Sequence, residues 1–364
     1  MKVVVIGAGI LGLSIAYNLA KRGASVSVLE SQYPGSGLSV RAIGAVHSQW
    51  GNECDIKLAK KNRELMNRLS SELNFNIPFR RDGHLMVATS KEHLADLDGN
   101  AKLQRSLGID TSVLTPEEIE SRYPFLDACS IVGGTFSKGD GSVHPFSVVY
   151  GFWKGIEEHG GQVVRSTTVT ALHAKENRIC SAETSNGAFE ADTYVVAAGT
   201  GSREILRSVG LDIPTELVKQ EMLATEPLRF FLKPMIQVYP EGISFTQSLR
   251  GEIVCQLPTT GEEIHKDNST TLEFLEKVAT ELIRFMPALW NVKILRPWAG
   301  LVETTRDSEP VVGRYAYDNL WVAFADSGKG VMFAPVMGDL MAEQIMSGQT
   351  NSDLGTYSPA RLLA

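Results

Sequence analysis

The sequence predicts an α/β protein that has a Rossmann-like domain and a second α+β domain built on a mostly antiparallel sheet. The chain has 364 residues and 43% hydrophobic side chains, enough to bury the cores of two domains. Residues 3–30 have the pattern strand, glycine-rich turn, helix, strand. Residues 216–298 alternate apolar and polar positions over short runs around one long helical pattern, which is typical of antiparallel strands.

The segment VVVIGAGILGLSIAYNLAKRGASVSVLE, residues 3–30, predicts one βαβ unit. Residues 3–6 are apolar and mostly β-branched without alternation, as in a strand that is buried on both faces of a parallel sheet. Apolar residues then recur at helical spacing up to Gly23, a predicted carboxyl-terminal cap, and residues 26–29 predict a second strand. The unit therefore places a glycine-rich turn at the amino end of a helix.

Gly7, Gly9 and Gly12 have the GxGxxG spacing of a dinucleotide-binding turn. Gly7 permits the tight turn, Gly9 lets the backbone approach a pyrophosphate, and Gly12 allows the helix to pack closely on the strand. Glu30, at the end of the second strand, is placed to accept hydrogen bonds from ribose hydroxyls and to repel a 2′-phosphate. Such turns also occur for steric reasons alone, but the strand, helix and acid together predict dinucleotide binding.

The rest of the chain favours FAD over NAD. Residues 34–51, PGSGLSVRAIGAVHSQWG, are rich in glycine and serine and do not predict the third strand that a plain dehydrogenase would have there. Residues 191–206 and 319–345 each predict a further strand that leads into a turn of small residues. Three such turns indicate one cofactor held by segments from the start, the middle and the end of the chain.

Composition argues against several other classes of function. The 35 basic and 42 acidic side chains give a net charge of -7, which disfavours a nucleic-acid partner. The sequence does not predict a signal peptide or a membrane-spanning helix, and no residue pattern predicts a metal site. The four cysteines lack CxxC spacing, so a reducing compartment and a cytoplasmic location are expected.

Four motifs along nearly the whole chain carry a family resemblance. They are VIGAGILGLSIAYNLAKRGASVSVLE (5–30), ADTYVVAAGTGS (191–202), RPWAGLVETTRDSEPVVG (296–313) and ADSGKGVMFAPVMG (325–338). On these motifs the chain resembles the FAD-dependent amino-acid oxidoreductases of the D-amino-acid oxidase superfamily, nearest the glycine oxidase, sarcosine oxidase and proline dehydrogenase β-subunit group.

The predicted division follows from where the FAD motifs lie. Residues 1–80, 137–215 and 299–364 are expected to form a Rossmann-like FAD-binding domain, and residues 81–136 and 216–298 a substrate domain. In the first substrate segment, Thr115 predicts a helix amino-terminal cap with Glu118 three residues on. The substrate domain is expected to cover the flavin with one face of its sheet.

The resemblance implies a set of residues that bind the adenosine, phosphate and ribityl parts of FAD. Gly7, Gly9 and Gly12 would line the pyrophosphate and Glu30 the ribose. The other implied contacts in this part are Ile10, Leu11, Ser39, Arg41, Val169, Ala198 and Gly199. For three of them a plainer interpretation stays open, in which Ser39 closes a turn, Arg41 is a solvated surface residue and Val169 belongs to the core.

The resemblance also implies which residues surround the flavin ring. Gly44 and Ala45 would pass close to the ring. Gly328, Lys329, Gly330, Val331 and Met332 would form a helix amino terminus at the pyrimidine end, where positive dipole charge stabilises reduced flavin. Gly300 stands where several relatives carry the cysteine that attaches covalently to flavin, so noncovalent FAD is expected.

The predicted reaction is oxidation of a small amino or imino acid by hydride transfer from the carbon of its C–N bond to flavin N5. The candidate substrate-binding and catalytic residues are His47, Lys329 and Arg250. His47 and Met332 replace the arginine and lysine that clamp the substrate carboxylate in sarcosine-oxidising relatives. His47 is then expected to give a hydrogen bond, or a charge below neutral pH, and Lys329 or Arg250 to bind the carboxylate.

Plainer interpretations and alternative functions remain open at this point. Arg250 is more simply a solvated turn residue, His144 a turn histidine, and Asp307 and Glu309 loop caps. Lys329 could be surface charge, and its glycine neighbours argue against burial.

Alternative functions are oxidation of a 2-hydroxy acid or glycerol phosphate, and an FAD-binding subunit of a larger electron-transfer complex. Expected partners are an amino-acid-like substrate and oxygen or another electron acceptor, with the chain alone or in a homo- or hetero-oligomer. Ile253, where some relatives have an oxygen-activating lysine, tilts the expectation toward a dehydrogenase.

Overall fold

A computed structural model describes residues 1–240, 242–258, 268–349 and 351–362. The helices in these ranges are α1 (Ile10–Lys21), α2 (Glu53–Glu72), α3 (Lys91–Ser106), α4 (Pro116–Arg122), α5 (Pro145–Glu158), α6 (Ser202–Arg207), α7 (Leu272–Phe285) and α8 (Gly330–Ser347). Two short 3₁₀ segments, Ser352–Tyr357 and Pro359–Leu362, follow α8.

The first large sheet is the nucleotide-binding type that the amino-terminal motif predicts. In spatial order its strands are β19 (Val311–Arg314), β20 (Leu320–Phe324), β13 (Thr193–Val196), β1 (Lys2–Ile6), β2 (Ser25–Leu29) and β9 (Gln162–Val164). All neighbours pair in parallel except β19 and β20. Helices α1, α5 and α8 pack on one face, where Val3 and Val5 point, and Val4 and Ile6 belong to the core on the other face. Strand β1 is thus buried on both faces, as predicted.

The second large sheet is mostly antiparallel, which confirms the predicted fold class. In spatial order it contains β18 (Ile294–Thr304), β14 (Glu216–Thr225), β17 (Ile253–Pro258), β16 (Ser244–Gln247), β15 (Met235–Tyr239), β5 (His84–Ala88), β7 (Gly133–Ser137) and β6 (Thr111–Leu114). Only the β5–β15 pair is parallel. Helix α7 packs on this sheet with an apolar stripe that includes Phe274 and Val278.

Two small antiparallel sheets complete the part of the fold that the structure describes. One joins β3 (Ala45–Val46), β8 (Gly141–Val143) and β4 (Phe79–Arg80), and the other joins β10 (Val169–Lys175), β11 (Arg178–Thr184) and β12 (Gly187–Glu190). Thr115 caps α4 and forms a capping box with Glu118, as the sequence predicts.

The predicted domain boundaries largely follow the two large sheets, but they stay a prediction. Strand β18 runs across the predicted boundary between residues 298 and 299. The predicted segment 216–298 also contains residues 241 and 259–267, and the predicted segment 299–364 contains residues 350, 363 and 364, all of which lie outside the described residues.

Candidate flavin and substrate site

The turn between β1 and α1 is packed too tightly for side chains. Gly7 has a φ of +103°, and a Cβ on it would lie 2.4 Å from the carbonyl oxygen of Ala197. A Cβ on Gly12 would lie 2.2 Å from the carbonyl oxygen of Gly7. The glycine turn therefore lies directly against the turn after β13, which contains the predicted residues Ala198 and Gly199.

The amino terminus of α1 presents an open face. Gly9 is the N-cap of α1 and has no side chain that could bond the helix. The first turn of α1 contains no acidic residue. The N–H of Ile10 donates to Oγ of Ser39 at 2.9 Å, and a Cβ on Gly9 would meet only that hydroxyl, at 3.4 Å. Leu11 is buried below this face. The amino terminus of a helix, with N–H groups that have no partner within the helix and no acid in its first turn, favours binding of an anionic group.

Glu30 lies at the end of β2, next to this turn. Its Oε2 accepts the N–H of Ala8 at 2.9 Å and its Oε1 accepts the N–H of Gln32 at 2.8 Å. A cleft of about 660 Å³ beside it is lined by Gln32 and residues 162–166. Val169 belongs to the same apolar cluster as Leu29, the neighbour of Glu30. The residues predicted to bind adenosine thus lie close together.

Residues 39–45 lead from the glycine turn to a second cavity. Ser39 lies at α1, and the carbonyl oxygen of Arg41 accepts the indole N–H of Trp298 at 3.0 Å. A Cβ on Gly300 would lie 2.4 Å from Cδ1 of Leu38, so this strand packs closely on the segment. Gly44 and Ala45 line the cavity.

The cavity has a volume of about 420 Å³ and lies between the two large sheets. The segment before α2, the 308–309 loop and the turn before α8 form its wall, and strands β14–β17 form its roof. The lining residues are Ala42, Ile43, Gly44, Ala45, His47, Trp50, Asn52, Asp55, Gln220, Met235, Gln237, Ser244, Gln256, Ser308, Glu309, Ser327, Gly328, Lys329, Val331 and Met332. The roof contributes neutral amides and a hydroxyl, and Lys329 is the one lysine or arginine among these described lining residues.

Lys329 is buried, which corrects the expectation that its glycine neighbours argue against burial. Its side chain is 9% exposed, and its Nζ lies 2.7 Å from Oδ2 of Asp55 and 2.6 Å from Oε2 of Glu309. It also lies 4.8 Å from the centre of the Trp50 ring. Burial raises the pKa of Glu309, and the Lys329 ammonium opposes that rise. Because two carboxylates surround this one ammonium, Lys329 brings no surplus positive charge to the cavity.

His47 is part of a stack of buried rings rather than a charged group. Its ring centre lies 4.7 Å from that of Trp50 and 4.5 Å from that of His84. Burial lowers the pKa of His47 to about 4. The expectation that the ring carries a positive charge below neutral pH is therefore wrong above about pH 5. Its Nδ1 is buried without a hydrogen-bond partner among the described residues. The ring therefore acts as a neutral wall of the cavity.

Two other expectations are settled by position. Arg250 lies in the turn after β16, its side chain is 75% exposed and pairs with Glu252, and it is not part of the cavity lining. The structure thus does not bring Arg250 to the site. His144 is the N-cap of α5 and is not among the residues that line the cavity. Asp307 is a loop cap as expected, since it accepts the N–H of Glu309, whereas Glu309 itself belongs to the cavity wall.

Helix α8 begins at the cavity and is held near its start by Asn62 of α2. Lys329 is its N-cap, and its first turn contains no acidic residue. Pro335 lies inside the helix, and Asn62 of α2 donates to the carbonyl of Met332 while it accepts the N–H of Val336. Asn62 thus bonds both backbone groups that a regular helix hydrogen bond would join, one residue after Pro335. These two bonds fix the first turn of α8 against α2.

The comparisons with known proteins agree with this geometry. Residues 2–344 match the family model described as "DAO: FAD dependent oxidoreductase". The chain belongs to this family. The predicted family resemblance and the predicted FAD cofactor are thereby confirmed, and the protein is an FAD-dependent oxidoreductase.

Several relatives of this FAD-dependent oxidoreductase span nearly the whole chain. The crystal structure of L-proline dehydrogenase from P. horikoshii is 31% identical, has a TM-score of 0.93, and aligns over 99% of this chain and 97% of that one. Sarcosine oxidase subunit beta of Rhodobacter capsulatus is 24% identical over 95% of this chain and 85% of its own length. Glycine oxidase of Bacillus licheniformis is 27% identical over 96% and 94%.

The residues present fit FAD. The open amino terminus of α1 suits a diphosphate, Glu30 ends the neighbouring strand, and residues 39–45 continue from there to the amino terminus of α8. Within the described ranges, His, Cys, Asp and Glu form no group of three that could hold a metal ion. No described helix has the length and apolarity that crossing a membrane requires.

Asp55, Asn62 and Glu309 are among the residues in or next to the cavity wall of this oxidoreductase that sequence reasoning missed. In the sequence, Asp55 looks like an acidic residue that simply favours the first turn of α2. Residues 55, 59, 62, 66 and 69, however, repeat at helical spacing and are all buried. Two polar residues in an apolar stripe are the signal that could have revealed Asp55 and Asn62. Glu309 carries no comparable signal. It lies in a loop, 20 positions before its partner Lys329, and no repeating pattern of residues links the two.

Proposed function

We propose that the protein oxidises the C–N bond of a small amino or imino acid in the cavity between the two sheets. The continuous path from Glu30 through residues 39–45 to the amino terminus of α8 is the observation that carries this proposal, because it ends at a ligand-sized cavity. FAD, when bound along this path, supplies the acceptor for the hydride. The relatives that are named for proline, sarcosine and glycine support a substrate of this class.

The protein's own part in the reaction is positioning and exclusion of water. Gln220, Gln237 and Gln256 line the roof with neutral amides, and the stacked rings of His47 and Trp50 form part of the wall. The remaining N–H of Lys329 is the cationic donor available to a carboxylate. Catalysis of this kind needs an oriented neutral amine more than a strong base.

The electrostatics of the α8 terminus also favour the proposed arrangement. The buried carboxylate of Asp326 accepts the N–H groups of Gly328 and Gly330 at the start of the helix. The first turn itself contains no acidic residue, so the positive end of the helix lies at the wall of the cavity. Developing negative charge on an acceptor placed there is stabilised. We propose that Gly328, Gly330, Val331 and Met332 contact the cofactor at this point.

Anaerobic spectra of the purified yellow protein test the proposal. The panel contains L-proline, sarcosine, glycine, D-amino acids, 2-hydroxyglutarate and glycerol 3-phosphate, and flavin bleaching by an amino or imino acid is the expected result. Bleaching by the hydroxylated compounds alone would replace the proposal with the hydroxy-acid alternative. Admission of air then separates an oxidase, whose colour returns within seconds, from a dehydrogenase.

Two further measurements locate the site and the mode of attachment. Gln256→Leu removes a roof amide at nearly constant volume, so the KM for the active substrate is expected to rise while FAD stays bound. Acid precipitation is expected to release all the FAD into solution, because Gly300 supplies no thiol and packs on Leu38. Flavin that stays with the pellet would contradict noncovalent binding.

A second candidate is an FAD-binding subunit of an electron-transfer complex. It is favoured because the R. capsulatus relative is named as a subunit and because Trp290, Ile294 and Leu295 are exposed at the edge strand β18. A flavin that no compound of the panel reduces, in protein that elutes as a monomer, would support this candidate.

A further inference from the structure

The C-terminal segment, residues 351–362, contacts the wall of the cavity at two points. Tyr357 is fully buried, and its hydroxyl donates to Oδ1 of Asp55 at 2.7 Å. Arg361, four residues on, donates through Nη2 to the carbonyl oxygen of Glu309 at 2.7 Å. Asp55 and Glu309 are the two carboxylates that hold Lys329. One short segment therefore contacts both partners of the cavity lysine.

The Tyr357 contact completes the hydrogen bonding of Asp55. The Asp55 carboxylate is inaccessible to solvent, its Oδ2 accepts from Lys329 and from Nδ2 of Asn52, and its Oδ1 accepts from Tyr357. Without the hydroxyl, Oδ1 would lose this partner in a buried place, and the carboxylate could rotate. The position of the carboxylate thus depends on a residue that lies outside the cavity lining.

The Arg361 contact fixes the loop that carries Glu309. Its Nε lies 2.7 Å from Oδ2 of Asp307, and its Nη1 donates to the carbonyl oxygen of Tyr357 at 2.8 Å. Asp307 in turn accepts the N–H of Glu309. The guanidinium therefore joins the C-terminal segment to both ends of the turn from Asp307 to Glu309.

The segment itself is held by packing that does not involve the cavity. Leu354 and Tyr357 belong to the core beneath α1 and α8, and Leu362 belongs to the core on the other face of the parallel sheet. Asp353 pairs with Lys61 of α2. A segment anchored in both cores is a stiff support for the groups that it touches.

We propose that Tyr357 and Arg361 are positioning residues of the cavity, which fix Asp55 and Glu309 so that the Lys329 ammonium points one N–H at the ligand. The effect on ligand binding rests on the proposed function, whereas the effect on Lys329 does not. Removal of either support frees the ammonium from one carboxylate and increases its motion. Ligand affinity falls and the chemical step is affected less.

Acetylation of lysines in the FAD-loaded protein, followed by mass spectrometry, measures the state of Lys329 without any substrate. Tyr357→Phe keeps the buried ring and removes the hydroxyl, and we expect the acetylation rate of Lys329 to rise about three- to tenfold. The buried Lys219 serves as the internal reference, and its rate is expected to stay constant. Tyr315→Phe is the matched control, because Tyr315 is also buried and donates to a backbone carbonyl, that of Asp212.

Arg361→Gln tests the second contact by itself and is expected to raise the Lys329 rate as well. Arg361→Lys, which keeps the charge and one donor, is expected to restore part of the protection. Arg178→Gln is its control, since Arg178 likewise donates to a backbone carbonyl, that of Asp192, in another part of the fold.

A parallel measurement of steady-state kinetics, with whichever amino acid bleaches the flavin, should show a KM raised about three- to tenfold and a kcat changed less than KM. Lys329 rates within twofold of the parent in both variants would overturn the proposal. Equal increases at Lys329 and Lys219 would overturn it too, because they would indicate general loosening. If no amino acid bleaches the flavin, the proposed function fails while the acetylation result still decides this inference.

Discussion

Glu30 accepts the backbone N–H of Ala8, with 2.9 Å between Oε2 and the amide nitrogen. The carboxylate therefore joins the end of β2 to the glycine turn before any ligand is considered. Glu30→Ala removes this acceptor and the one for Gln32, so we expect the free energy of unfolding to fall by ~1–3 kcal/mol and FAD affinity to fall at least about tenfold. FAD titration of the apoprotein, followed by flavin fluorescence, measures the affinity, and the exposed Glu183→Gln is the control. Unchanged FAD affinity in Glu30→Ala would remove Glu30 from the cofactor site.

Gly12→Ala should be strongly destabilising. The new Cβ would lie 2.2 Å from the carbonyl oxygen of Gly7 and 3.3 Å from the Cβ of Ala197, neither of which is the end of a flexible side chain, so a loss of at least ~2 kcal/mol is expected. Gly99→Ala is the matched control, because Gly99 is exposed in the middle of α3 with no atom near a Cβ. There the substitution is expected to stabilise the protein by ~0.5–1 kcal/mol. Urea unfolding compares the two, and similar stability of both variants would contradict the packing of the turn.

Glu303 is expected to make stability depend on pH. Burial raises the pKa of Glu303 to about 7, whereas an unfolded glutamate titrates near its ordinary value of about 4.3. The folded state therefore binds the proton more tightly, and the stability that this gives is complete below about pH 4.3 and is lost as pH rises through about 7. Glu303→Gln cannot ionise, so relative to the parent it should gain on the order of 2–3 kcal/mol between pH 5 and pH 8. Melting curves of the two proteins that stay parallel across this range would contradict the raised pKa.

His47 is expected to stay neutral at every pH at which the enzyme is assayed. Burial lowers its pKa to about 4, so its ring nitrogens should show no change of NMR chemical shift between pH 8 and pH 5.5. The signals of histidine-labelled protein are assigned to His47 by their absence from His47→Asn. A shift of these signals near pH 6.5 would show that the ring takes up a proton and would restore the charged role predicted from the sequence.

Lys329→Met should cost about 3 kcal/mol of stability, because Asp55 is left as a buried carboxylate without its cation. Adding Glu309→Gln and Asp55→Asn removes the uncompensated charges and is expected to recover more than half of that loss. Denaturant unfolding of the single and triple variants measures both steps. A triple variant less stable than Lys329→Met would show that the carboxylates stabilise the fold independently of the lysine.

The local parts of the site could be predicted from the sequence because their physical causes are local. Residues 3–30 fold as predicted, since the glycine spacing, the helical pattern up to Gly23 and the two apolar runs lie within one stretch of chain. The same is true of the Thr115 cap and of α7. Short-range patterns of this kind determine an element before any tertiary contact forms.

The cavity wall could not be predicted in the same way. Lys329 and Asp55 are 274 positions apart, and Asp55 and Tyr357 are 302 apart, so only the packing of α2, α8 and the C-terminal segment brings them together. The glycines beside Lys329 suggested exposure, but they shape a turn that directs the side chain inward. The pKa of His47 likewise depends on burial between Trp50 and His84, which no single stretch of sequence reveals.

The order of the strands along the chain limits how the protein can be truncated. The chain leaves the parallel sheet after β2 and returns at β9, leaves it for the β10–β12 sheet and returns at β13, and leaves it again before returning at β20 and its antiparallel neighbour β19. A fragment that stops at residue 215 would retain β5 without its parallel neighbour β15, and would expose an unpaired strand to aggregation. Neither half can be excised as one contiguous piece, so truncation libraries and domain grafts of this enzyme should keep both sheets whole.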